Sequence, residues 1–136
     1  MKVFGSPLII GPCRYRVIET CSSRERIKGL YESDGSTALV ISFPFRFRWA
    51  IWMRGMATPL DLVWMDRGRV VGVTKRSSPH RWSDRWRMSL PPQKIDAVFE
   101  IPGRHTSRHG DCFLIHVVEQ WWHAEKESSL ERPHPS

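Results

Sequence analysis

Leu60-Asp61-Leu62-Val63-Trp64-Met65-Asp66-Arg67-Gly68-Arg69-Val70-Val71-Gly72-Val73-Thr74 is the stretch whose reading decides the fold. An apolar run from Leu60 to Met65 enters Asp66-Arg67-Gly68-Arg69, a tight-turn sequence, and Arg69 to Thr74 returns as its partner. Two such runs joined by a glycine turn read as a β-hairpin. On the N-terminal side lie two more strand-like runs, Trp49 to Met53 and Thr37 to Phe43, the second stopped by Pro44. Arg14 to Thr20 alternates as a half-buried strand would. Downstream, Ile95 to Ile101 is a strand with Val98 interior, broken by Pro102-Gly103, and Cys112 to Val118 reads as a closing strand. Lys75 to Lys94 has no sustained period and reads as a long loop. Between the first two strands, Ser22-Ser23-Arg24-Glu25 has the spacing of a capping box, which predicts a short helix reaching about Leu30. The expectation is a mainly β domain, α+β at the margin. It is a single compact barrel or sandwich-like unit of about seven short strands with one short N-terminal helix. Residues 1–122 form the domain, and the polar stretch 123–136 reads as a frayed tail.

The chain has 136 residues, 40% of them hydrophobic and 26% charged, enough for one core and against wholesale disorder. No apolar run approaches the ~18 residues of a membrane-spanning helix, so no membrane partner is expected. Pro7-Leu8-Ile9-Ile10 is too short for a secretory leader, so a cytoplasmic location is expected. Cys13, Cys21 and Cys112 are odd in number with no CxxC pair, and read as free, packed thiols. The net charge of +7 is unevenly spread. Residues 1–43 carry +2, residues 44–94 carry +8 and residues 95–136 carry −3. Such asymmetry bears on partners and steering, not on fold.

The order of motifs resembles a known family. Arg26-Ile27-Lys28-Gly29-Leu30 is similar to the Arg-x-x-Gly-Leu-Met element of domain of unknown function 192. Ile51-Trp52-Met53-Arg54 with Thr58-Pro59-Leu60-Asp61-Leu62 resembles its Phe-Trp-Met-Lys-Asn-Thr and Pro-Leu-Asp-Ile elements. Asp66 to Val71 resembles its Asp-x-x-Gly-x-Val hairpin. Pro91-Pro92, Ala97-Val98-Phe99-Glu100-Ile101-Pro102 and Gly110-Asp111 resemble its later motifs. The resemblance spans about residues 14–118 and implies a compact, mainly β fold with a short helix; it implies no reaction. Gly55-Met56 stands where the family has Asn-Thr, which removes an amide and a hydroxyl from the best-marked loop.

Three constellations carry chemistry. In the loop Trp52 to Asp61, Trp and Met walls with one carboxylate could form a small pocket in which Asp61 accepts hydrogen bonds or orients Arg54. The competing reading is that Asp61 holds the loop by bonding backbone N–H groups. The second constellation is a basic, Trp-bearing surface: Arg46, Arg48 and Trp49, with His80-Arg81-Trp82-Ser83-Asp84-Arg85-Trp86-Arg87. Guanidinium groups neutralise phosphate and indoles stack on bases. Arg46 and Arg48, two apart, share a face if the segment is extended. The competing reading is a surface in which Arg covers Trp. The third is His105, His109, Cys112 and His116. Cys112 and His116 would lie roughly 13 Å apart on an extended strand, too far for one metal, so no metal is expected. No cofactor motif and no nucleophile elbow is present. Trp121-Trp122 reads as a barrel plug or an oligomer contact.

Two functional readings follow. The first is a non-enzymatic binding module in which Arg46, Arg48, Arg81, Arg85 and Arg87 meet a polyanion, nucleic acid being one, while Trp82 and Trp86 stack. The alternative is a small enzyme or small-ligand-binding protein, its anionic ligand held at Arg54 and Asp61.

Overall fold

The computed structural model describes residues 2–20, 35–52, 60–77, 88–102 and 111–131. Nine strands and one helix lie within them: β1 (Lys2–Val3), β2 (Leu8–Ile10), β3 (Cys13–Thr20), β4 (Thr37–Phe47), β5 (Ile51–Trp52), β6 (Leu60–Asp66), β7 (Arg69–Ser77), β8 (Met88–Ser89), β9 (Ile95–Pro102) and α1 (Asp111–Glu131). Seven strands make one sheet in the order β1-β3-β4-β9-β6-β7, with β2 also paired to β3. β3 and β4 are parallel and the other pairs antiparallel. β5 and β8 form a separate two-stranded ribbon.

The hairpin that opened the sequence reading is present. Asp66 pairs with Arg69, and Arg67 and Gly68 both take positive φ, 53° and 80°. Two successive left-handed residues make the primed turn whose twist matches that of the strands. Around it, the mainly β expectation holds, while the barrel does not. The sheet order starts at β1 and stops at β7 without closing, and a helix covers one face. That helix is C-terminal. The expected N-terminal helix over 22–30 lies outside the described residues.

Cys112 to Val118, expected as a strand, is the first part of α1. Its apolar, partly β-branched composition suits a strand, but its burial follows a helix. Leu114, Val118 and Trp121 are buried at i, i+4 and i+7, while Cys112, Phe113 and His116 are exposed. Residues 123–131, expected as tail, continue the helix.

Burial sorts the sheet into two faces. On the helix-covered face, Leu8, Tyr15, Val17, Val40, Val63, Met65, Phe99 and Ile101 pack with Leu114, Val118 and Trp121. On the opposite face, Ile41, Leu60, Leu62, Trp64, Ile95 and Val98 form a smaller cluster with Ile51 of the ribbon. This alternation along β6 and β9 is the period-two signature of a sheet buried on both sides. Trp121 packs edge-on against Phe4 and Phe99, with centroids 5.0 and 5.6 Å away, and its Nε1 donates to the Ser6 carbonyl at 3.1 Å. It anchors the helix to the sheet, in place of the expected barrel plug. Glu119 accepts the Val70 N–H at 2.8 Å and fastens the helix to β7. No helix among the described residues is long and apolar enough to cross a membrane.

Candidate functional site

The segment 43–49 alternates Phe43, Phe45, Phe47 and Trp49 with Pro44, Arg46 and Arg48. The expectation that the strand stops at Pro44 is half right. Proline has no N–H for the ladder, so the pairing breaks there. Ser42 still pairs with Ala97, but the next partner pair is Phe47 with Ile95: five steps along β4 are taken against two along β9. The surplus residues bulge outward, and β4 then resumes. A bulge of this kind re-aims side chains at a sheet margin.

The bulge lifts an aromatic cluster into solvent. Phe45 is 58% exposed and Phe47 53%. Trp49 lies against both, with centroids 5.0 and 5.3 Å away, and stacks on Phe43 at 5.0 Å with the planes 7° apart. The Trp49 Nε1 donates to the Phe45 carbonyl at 3.0 Å, which ties the end of this segment back to its middle.

The two arginines of the finger act first as braces. Arg46 donates Nε and Nη2 to the two Asp66 oxygens, both at 2.8 Å. This fork-to-fork pairing holds the Asp66 carboxyl below the usual carboxylate range and raises Arg46; burial opposes the shift in each case without outweighing it. Gln93 adds a long contact to Asp66 at 3.5 Å. Arg48 donates Nε to the Pro91 carbonyl at 2.9 Å. The finger is thus clamped to the end of β6 and to the segment before β9. Lys94, exposed, neighbours Ile95, which pairs with Phe47.

Of the sequence-nominated site residues, Arg46 and Arg48 share this finger. Arg54, Arg81, Trp82, Arg85, Trp86 and Arg87 lie outside the described residues. Asp61 sits on β6, 2% exposed and opposite Ile101. A second carboxylate, Glu100, is fully buried on β9 between Leu39 and Leu62. Because Asp61 pairs with Ile101 while Glu100 pairs with Leu62, strand alternation puts the two acids on opposite faces of the sheet. They do not converge into a paired acid–base site.

The separation of roughly 13 Å expected between Cys112 and His116 on an extended strand does not apply: both lie on α1, where residues four apart sit one above the other. Among the described residues, no group of three or more His, Cys, Asp or Glu side chains could hold a metal ion. His105 and His109 lie outside those residues. Cys13 is half-buried and Cys112 exposed, so the second is not packed as expected.

What the sequence reading missed is the exposure of Phe45 and Phe47. The signal was available: if Arg46 and Arg48 share one side of an extended segment, the intervening rings must share the other.

A family comparison covers the part of the chain that contains this finger and the hairpin. The model of domain of unknown function 192, described as "Uncharacterized ACR", matches residues 14–111. The chain belongs to that family. The match runs from the start of β3 to the first residue of α1, so β1, β2 and most of the helix lie beyond it. No curated protein matches the chain. Two solved structures are similar in fold. One, from Sinorhizobium meliloti 1021 and described as a "putative transcription regulator", is 16% identical with a TM-score of 0.54, covering 71% of this chain and 77% of that one. The other is a protein of unknown function from Novosphingobium aromaticivorans DSM 12444. It is 18% identical with a TM-score of 0.55, covering 74% of this chain and 83% of that one. The family has no assigned reaction to transfer.

Proposed function

We propose that this domain is a non-enzymatic binding module whose aromatic finger, Phe43 to Trp49, docks single-stranded nucleic acid. The observation that carries the reading is the half-exposed Phe45–Phe47 pair, packed beside Trp49. Contiguous apolar rings left in water mark an interaction surface. Base stacking on such rings is sequence-tolerant and contributes about 1–3 kcal/mol per base. The braces from Arg46 and Arg48 fix the rings before binding, which lowers the ordering cost of association.

Charge plays the lesser part at the finger itself. Arg46 is committed to Asp66, which leaves Arg48 and the neighbouring Lys94 to meet phosphate. The sequence-nominated Arg81, Arg85 and Arg87, with Trp82 and Trp86, would extend the same chemistry. The description of the Sinorhizobium protein as a transcription regulator is in keeping with a nucleic-acid partner, while at 16% identity the likeness itself speaks to fold alone.

The test is a titration with a single-stranded oligonucleotide across a salt series. Each phosphate contact lowers log affinity by about 0.7 per decade of salt, so two or more contacts require a slope of about −1.4 or steeper. Absent or salt-independent binding would remove the proposal. The other reading is a small-ligand site at Trp52 to Asp61, and of its nominated pair, Arg54 and Asp61, only Asp61 is among the described residues. A near-fully buried acid on a strand favours a fold-holding role.

A further inference from the structure

We infer that the groove between β1 and β2 is a separate anion site that receives a phosphate group between Arg14 and Arg16. β1 and β2 run along the same edge of β3. Val3 pairs with Ile18 and Leu8 with Tyr15, so Phe4-Gly5-Ser6-Pro7 spans a gap that only Arg16 and Val17 fill on β3. The surplus chain bows away and opens a groove of about 260 Å³, lined by Val3 to Pro7 together with Arg14 and Arg16. That volume suits a phosphate group with a small substituent and falls below the ~300–1,000 Å³ of whole-cofactor pockets.

Two residues apart on one strand, Arg14 and Arg16 project to the same face, opposite the one that Tyr15 and Val17 bury under α1. Both are exposed, and among the described residues neither guanidinium has a carboxylate partner. This contrasts with Arg46, whose fork is filled by Asp66. A tetrahedral oxyanion has enough acceptor oxygens for both forks at once.

The wall of the groove is fixed from behind. The Phe4 N–H donates to the Val17 carbonyl at 3.0 Å, and the Ser6 carbonyl accepts Trp121 Nε1 at 3.1 Å. The first bond holds the start of the bow on β3 and the second ties Ser6 to the helix, so the bow is braced by the protein's own bonds. The parallel register sets Arg16 beside Thr37, five residues before the bulge that carries Phe45, so the groove lies more than ~16 Å along the sheet from the finger at ~3.3 Å per residue. The two sites are independent.

Inorganic phosphate titrated into the full chain, followed by two-dimensional NMR of the amides and arginine Nε–H groups, tests the site. The expected result is saturable shifts at Gly5, Ser6, Arg14 and Arg16 that sodium chloride of equal ionic strength does not reproduce. Arg14→Ala with Arg16→Ala is expected to weaken phosphate by about tenfold or more. So is Gly5→Asp, which places a carboxylate where an added Cβ meets nothing within 4 Å. Phe45→Ala with Phe47→Ala is expected to leave phosphate binding unchanged. Phenyl phosphate separates the sources: tighter binding than inorganic phosphate assigns a phosphomonoester, equal binding the free anion, and either supports the site. Shifts that chloride reproduces, or wild-type affinity in the double arginine variant, would overturn it.

Discussion

Gly72 has no room for a side chain. A Cβ there would come within 2.8 Å of Pro92 Cγ and 3.2 Å of its Cδ, and a pyrrolidine ring cannot swing aside as a long side chain can. Gly72 lies opposite Trp64, whose Nε1 donates to Thr74 Oγ1 at 2.9 Å, so the ring of Pro92 rests on the hairpin beside a buried indole. Gly72→Ala is therefore expected to destabilise the fold by about 1–3 kcal/mol, with Pro92→Ala recovering much of that loss in the same chain. Urea unfolding of the single and double variants measures it; a Gly72→Ala variant as stable as the parent would show that the two segments can part freely. Asp66 gives a second residue-scale prediction. Its folded carboxyl, held by Arg46, titrates below its ordinary value of 3.8. The stabilisation is present above that value and is lost as pH falls through the lower, folded one. Asp66→Asn is expected to flatten the acid limb of the unfolding midpoint between pH 5 and 2, while thermal scans near pH 7 show the variant less stable than the parent.

At the scale of the element, strands were legible where local chemistry forces them and obscure where distant packing decides. Asp66-Arg67-Gly68-Arg69 announces its own turn, because only a left-handed pair closes so tight a hairpin. Cys112 to Val118 gives no such local sign. Seven apolar or weakly polar residues fit a buried strand as well as a helix, and the period of Leu114, Val118 and Trp121 becomes informative only when the reading extends past Val118. The finger is an intermediate case: Pro44 correctly marks an interruption, but a bulge and a strand end look alike without knowledge of the partner, β9. The helix assignment itself is testable. Trp121→Ala is expected to cost about 3–5 kcal/mol, because the indole fills the space between Phe4 and Phe99. Trp121→Phe keeps a ring but loses the bond to Ser6, at about 1 kcal/mol. Equal effects of the two variants in calorimetry would contradict the anchoring role.

For the whole molecule, the excess of positive charge in the middle third suggested a charged receptor, yet the best-described arginine there is neutralised within the protein. Sequence counts charges without seeing which are paired, and Arg46 lies 20 residues from its partner. The same blindness hid the rings, since exposure depends on the bulge and not on residue type. Arg14 and Arg16, outside that third, are exposed, and among the described residues neither has a carboxylate partner. The chain's family, domain of unknown function 192, supplies the scaffold, on which Asp61 and Glu100 lie on opposite faces of the sheet, and the proposed function rests on the surface features that this scaffold displays.

Oligonucleotide affinity of the Phe45→Ala/Phe47→Ala variant, at fixed salt and with its thermal midpoint recorded alongside, tests the central claim most directly. Losing two stacking rings is expected to weaken binding by at least about tenfold without lowering the midpoint, because both side chains are more than half exposed. Affinity equal to that of the parent in a folded variant would contradict the claim that the finger is the binding surface.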